Sequence, residues 1–267
     1  MDNRPIGVFD SGIGGLTVVK SLIHILPEEN IFYVGDTARV PYGNKSTERI
    51  KQYSEQIVEW LINSDCKMII IACNTASSVA INHLKKKYSV PIIGVIQPGA
   101  EYATRVTKNK IIAILGTHKT IKSDAYGKKI KLIDSTIKVV NKSCPLFVPL
   151  VEEGWIDGNI PLLVAKFYFE DLIKSNPDTV ILGCTHYPLL KKTIKKVLGD
   201  NIKLVDSGLA TSNKVITVLN ENSLNAGDGR GRYRFFVTDS PEIFQKSVSK
   251  FLNKIKIEVK QIDLTKD

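Results

Sequence analysis

No run of residues in this chain is long and apolar enough to cross a bilayer, and its opening, MDNRPIGVFD, lacks the basic-then-apolar pattern of a secretion signal. A soluble cytoplasmic protein without membrane association is the expectation. Cysteine is scarce. Cys66, Cys73, Cys144 and Cys184 form no C-x-x-C pair and no short disulfide framework, so free thiols are the default reading. The same spacing argues against a dithiol redox motif and against a structural zinc site, which needs paired close ligands. Acidic residues are the minority charge, 27 against 37 basic ones, for a formal net charge of +10. That excess raises nucleic-acid binding as a reading, but its distribution speaks against it. Most of it is lysine spread over polar helix faces such as HLKKKYS and LLKKTIKKVLG, which read as solvated surface. The one basic run with aromatic interleaving, GRGRYRFF at 229–236, reads as a Gly-rich loop entering a strand. No nucleic-acid partner is expected; a basic surface also steers an acidic small molecule toward a cleft.

With 43% hydrophobic residues in 267, the chain can bury one large core or two smaller ones. Short apolar runs (IGVFDS, NIFYVGDT, KMIIIACNT, VPIIGVI, KIIAILGT, IKVVNKS, TVILGCTH, IKLVDSG) alternate with amphipathic stretches such as TERIKQYSEQIVEWLINS. Continuous apolar strands joined by helices predict α/β architecture with parallel sheets covered on both faces. The pattern occurs twice. IIIACNTASSVAINHLKKKYSVPIIGVIQPG at 69–99 can be laid on VILGCTHYPLLKKTIKKVLGDNIKLVDSG at 180–208, and IGVFDSGIGG at 6–15 on IAILGTHKT at 112–120. Two similar lobes related by pseudo-symmetry are expected, each a mainly parallel sheet flanked by helices, with the site between them. Their predicted extents are 1–97 plus 209–267, and 98–208, the tail returning through YRFFVTDS and IEVKQIDL to complete the first.

Ligands of open parallel sheets collect outside the carboxyl ends of the strands. The polar clusters fall there: Asp10-Ser11, Tyr42-Gly43 just beyond a strand, Cys73-Asn74-Thr75, Gly116-Thr117 and Cys184-Thr185-His186. ILGCTHYPLL at 181–190 alone would fit a buried cysteine and a helix cap. IIIACNTASS at 69–78 repeats the arrangement, so facing lobes bring two thiols to one cleft from opposite sides. Inverting a carbon stereocentre by proton transfer needs one base on each face. A thiol with an unperturbed pKa near 8.5 leaves both protonation states accessible, so such a pair can exchange roles each turnover. Cys66 and Cys144, judged to lie away from strand C-termini, are expected to be packing residues. GIGGLT lacks G-x-G-x-x-G spacing, and its glycines read as a tight turn with close backbone approach.

DSGIGGLTV (10–18), DTARVPYG (36–43), ACNTAS (72–77), CPLFVPLVEEG (144–154) and GCTHYPLL (183–190) together resemble the aspartate/glutamate racemase superfamily, and within it the glutamate racemases. The resemblance runs from Ile6 to about Pro241. It implies interconversion of L- and D-glutamate for peptidoglycan, with no cofactor or metal and with homodimers common. It makes Cys73 and Cys184 the catalytic thiols, the first acting on D-glutamate and the second on L-glutamate. By the same resemblance Asp10 and His186 assist them and Glu152 is an acidic residue near the site. Ser11, Tyr42, Gly43, Asn74, Thr75, Thr117, Thr185 and His186, with Asp10, then bind the substrate. A racemase of aspartate or another amino acid, and a non-catalytic two-lobed binding or redox-thiol protein, are the competing readings. With Asp10 so close to the start, no activating N-terminal extension is expected.

Overall fold

The computed structural model describes residues 1–252 and 258–264, with the side chains of 249–251 left aside. Among the described residues the strands are β1 (Ile6–Asp10), β2 (Ile31–Gly35), β3 (Met68–Ile71), β4 (Ile92–Gly94), β5 (Ile111–Gly116), β6 (Lys138–Ser143), β7 (Thr179–Gly183), β8 (Lys203–Asp206), β9 (Tyr233–Val237) and β10 (Val259–Gln261). They form two sheets, ordered β10-β9-β2-β1-β3-β4 and β6-β5-β7-β8. Every pairing is parallel. The run β2-β1-β3-β4 in the first sheet has the same connectivity as β6-β5-β7-β8 in the second. The internal similarity read from the sequence is therefore a topological repeat that sets β3 on β7 and β1 on β5.

Strands buried on both faces explain the uninterrupted apolar runs. All residues of β1, β3 and β7 are buried, whereas β6, at an edge, is only partly covered. Helices Leu16–Ile25 and Ser207–Glu221 cover one face of the first sheet, packing Val18, Val19, Leu22, Val215 and Leu219 against Ile6, Val8 and Ile70. Thr47–Asn63 and Asn74–Lys87 cover the other. The former starts at Ser46, whose hydroxyl accepts the Arg49 N–H at 3.2 Å, and buries Ile50, Ile57, Val58 and Leu61 along one stripe. In the second lobe, Phe147–Glu152, Asn159–Lys174 and Lys191–Leu198 lie on one face, and Ile96–Val106 with Ala125–Ile133 on the other.

GRGRYRFF does enter a strand, β9, as read from the sequence. One expectation is corrected. Cys144 does stand at a strand C-terminus, directly after β6, because its N–H bonds the Gly116 carbonyl and carries the pairing with β5 one residue further. Its fully buried sulfur turns back to the Lys142 carbonyl, into the core beneath Phe147 and Tyr187. Cys66 precedes β3 and is buried as expected.

Candidate active site

The end of β3 hands over to helix Asn74–Lys87 through Cys73, which is in extended conformation as the helix N-cap. Its sulfur accepts the Ala76 N–H at 3.5 Å and donates to the Ser11 hydroxyl at 3.7 Å. The residue is only 5% exposed. Burial, followed by the negative charge of Asp10, pushes this thiol up to about 12, against the pull of the Ala76 and Ser11 hydrogen bonds.

Cys184 follows β7 in the equivalent place and is 6% exposed. Its sulfur lies 3.8 Å from Nδ1 of His186, and Nε2 of that imidazole lies 3.1 Å from Oε1 of Glu152. Burial alone would strip the proton from His186. The hydrogen bonds to Cys184 and Glu152, with the charges of Cys184 and Asp10, outweigh it and push the imidazole up to about 10. Glu152, at the end of helix Phe147–Glu152, is the half-exposed outer member of this Cys-His-Glu row.

A raised histidine carries a stability signature. It titrates near 6.5 when unfolded and near 10 when folded. Its contribution is therefore complete below about pH 6.5 and is lost as pH climbs toward 10. The melting temperature is expected to fall more steeply between about pH 7 and pH 10 in the native protein than in His186→Gln; parallel curves for the two proteins would show that the imidazole carries no such proton.

Asp10 closes β1 with no exposure. Its Oδ2 accepts the N–H groups of Gly12 and Gly15 at 3.1 and 3.0 Å, and Oδ1 accepts the Thr185 hydroxyl at 3.4 Å across the lobes. Burial raises its carboxyl above the ordinary range, while the positive charge of His186 pulls it down. The loop after β1 docks on the second lobe. The Thr17 hydroxyl reaches the Thr185 carbonyl at 3.1 Å, and a Cβ on Gly14 would stand 2.3 Å from Thr185 Oγ1 and 2.6 Å from His186 Nδ1. Only glycine fits.

The other sequence-derived positions converge on the same seam. Tyr42, buried in the turn Tyr42–Asn44, donates its hydroxyl to Asp36, whose carboxylate also takes Arg39 Nε and the Thr238 hydroxyl. Gly43 faces Thr117, where an added Cβ would sit 3.3 Å from Thr117 Cβ. Thr75 and Thr117 share a hydrogen bond of 3.0 Å across the lobes, and Thr120 lies 3.4 and 3.1 Å from their hydroxyls. Asn74 is 2% exposed, with Oδ1 held by Tyr126 and Nδ2 without a partner among the described residues. Sequence reasoning missed Thr120 and Tyr126, and gave Thr17 and Asp36 no role although both lie within quoted motifs.

Both thiols are enclosed. A cavity of about 730 Å³ lies elsewhere, behind helix Asn74–Lys87 between Lys85 and Lys129, and neither thiol lines it. No group of three or more His, Cys, Asp or Glu arranged to hold a metal occurs among the described residues. Among those residues, no helix is long and apolar enough to cross a membrane.

Known proteins share both pattern and architecture. The Asp/Glu/Hydantoin racemase family model matches residues 6–215. Glutamate racemase of Geobacter metallireducens is 45% identical over 98% of this chain and 97% of its own length. The crystal structure of a glutamate racemase isoform from Bacillus anthracis superposes with a TM-score of 0.96 at 38% identity, covering 99% of each chain. That of glutamate racemase from Francisella tularensis, in complex with D-glutamate, gives 0.92 at 41% identity, again over 99% of each. Two parallel-sheet lobes, a buried thiol at the same place in each and a match over most of the chain lead to one conclusion: the chain belongs to the Asp/Glu/Hydantoin racemase family.

Proposed function

We propose that this protein is a cofactor-independent glutamate racemase that uses Cys73 and Cys184 as paired acid and base. The observation that carries the reading is the position of the thiols. Each is buried at the C-terminal end of a topologically equivalent strand, β3 or β7, and the lobes bearing them are joined by hydrogen bonds on both sides. The lobes, taken as 1–97 with 209–267 and 98–208, part to admit substrate and close to keep water from the reacting carbon.

The surroundings of the two sulfurs differ in a way that suits the direction of reaction. Cys73, buried and beside Asp10, holds its proton; Cys184 has a protonated imidazole 3.8 Å away, the partner a thiolate base needs. For L-glutamate, the Cys184 thiolate takes the Cα proton and leaves the electron pair on carbon. The Cys73 thiol then delivers its own proton to the opposite face. D-glutamate leaves, with Cys184 now a thiol and Cys73 a thiolate, and exchange with solvent resets the pair. Asp10 and His186 assist, Glu152 holds the outer side of His186, and Ser11, Tyr42, Gly43, Asn74, Thr75, Thr117 and Thr185 supply hydroxyls, amides and backbone N–H groups for the substrate. Glutamate as substrate is supported by the relatives, which carry that activity in their names. Supplying D-glutamate for peptidoglycan from the cytoplasm, as a homodimer, completes the reading.

The test is racemisation across a panel of amino acids, including glutamate and aspartate, in deuterated water. From pure L-glutamate, early D-glutamate is expected to carry deuterium at Cα while recovered L-glutamate carries little. A single shuttling base would deuterate both or carry the original hydrogen across. Preference for aspartate would redirect the substrate assignment and leave the two-thiol chemistry standing.

A further inference from the structure

Tyr126 lies outside every motif that the sequence singles out, yet it touches the turn beside each thiol. It is the second residue of helix Ala125–Ile133, in the second lobe, and is 2% exposed. Its hydroxyl crosses to the first lobe and donates to Oδ1 of Asn74, the neighbour of Cys73, at 2.7 Å. Its ring rests on Gly183, the residue before Cys184, where an added Cβ would stand 3.3 Å from Cε2. On the other side it meets Gly99, whose Cβ would stand 3.2 Å from Cε1. Ser207, the buried first residue of helix Ser207–Glu221, packs on the same side, its Cβ 3.7 Å from where a Gly99 Cβ would stand.

A phenol has one proton to give. Given to Asn74 Oδ1, it makes that oxygen the acceptor of a bond between the lobes. An asparagine amide has nearly the same shape at both ends and turns over unless its partners distinguish them. Here one end is held, and Nδ2 at the other is buried with no partner among the described residues. An unsatisfied buried N–H₂ is unfavourable by itself. It persists in this orientation because Tyr126 holds the opposite atom, and it is a ready donor for an acceptor entering the cleft.

We propose that Tyr126 is a positioning residue that sets the Asn74 amide with Nδ2 presented to a substrate carboxylate, so that a residue of one lobe orients a binding group of the other. The inference rests on the glutamate racemase reading above. It says which atom of Asn74 meets the substrate and what keeps it there.

Tyr126→Phe keeps the ring between Gly99 and Gly183 and removes the hydroxyl. Losing one oriented hydrogen bond is expected to raise KM for both enantiomers about three- to tenfold, with kcat changing less than about threefold. Asn74→Ala is expected to raise KM at least as much, and adding Tyr126→Phe to it should change KM no further. An unchanged KM in Tyr126→Phe, or the same multiplicative effect in both backgrounds, overturns the proposal, because a purely structural tyrosine would act without regard to Asn74. Asn74→Asp, which leaves Tyr126 untouched, keeps the bond at one oxygen and turns the other into an acceptor. Its KM should exceed that of Asn74→Ala, and a value at or below it also overturns the proposal. Failure of the native protein to racemise glutamate would instead remove the parent reading before any variant is made.

Discussion

Cys73→Ser and Cys184→Ser are each expected to lower racemisation at least about a hundredfold, in both directions, the low end of what a positioned acid or base contributes. Reversibility makes each group necessary to both paths: the base for one enantiomer is the acid for the other. Serine keeps the shape and a proton, but its oxygen binds that proton far too tightly to act as a base near neutral pH. Folding does not confound the comparison at position 73. The sulfur there caps helix Asn74–Lys87 by accepting the Ala76 N–H, and a serine hydroxyl is among the best N-cap acceptors. The melting temperature of Cys73→Ser should therefore hold or rise while activity collapses. A Cys73→Ser protein that racemises within about tenfold of the native rate would end the two-thiol assignment and point to a single shuttling base.

How far the sequence could be read follows from what kind of information each feature needs. Fully buried strands are legible because burial on both faces removes polar residues from the run, as in β3 and β7. The turn after each is legible because the change from apolar to polar falls where the strand ends, and both thiols sit at that change. The edge strand β6 was visible as IKVVNKS, but its pairing continued into Cys144, and no local pattern marks one more ladder bond. Contacts between the lobes were not legible at all. Thr17 meets Thr185 across 168 positions of sequence and Tyr126 meets Asn74 across 52. Periodicity tells which face of an element is covered, not which distant side chain completes it. Tyr126 in AYGKKIKLI therefore reads as one more apolar helix position.

Gly14→Ala is expected to lower kcat/KM about a hundredfold, a penalty out of proportion to one added methyl group. The Cβ would stand 2.3 Å from Thr185 Oγ1 and 2.6 Å from His186 Nδ1, contacts that real Cβ atoms do not make. One side must move by about an ångström, and both sides carry function. The loop holds Asp10 through the N–H groups of Gly12 and Gly15, while Thr185 and His186 flank Cys184. Relief comes most easily by parting the lobes, which lengthens the Thr185–Asp10 and Thr17–Thr185 bonds and moves one thiol away from the other. A misplacement of that size is enough for a loss of this order in a reaction that needs two groups aligned on one carbon. Gly12→Ala is the matched comparison, in the same loop and with the same change in backbone entropy. Its Cβ would meet only the Val40 side chain, at 3.3 Å, which can give way, so a loss below about fivefold is expected. Kinetics of the two variants, with melting curves to show that both are folded, separate the cases. Equal activity in Gly14→Ala and Gly12→Ala would mean that the docking of this loop on Thr185 and His186 does not set the distance between the thiols.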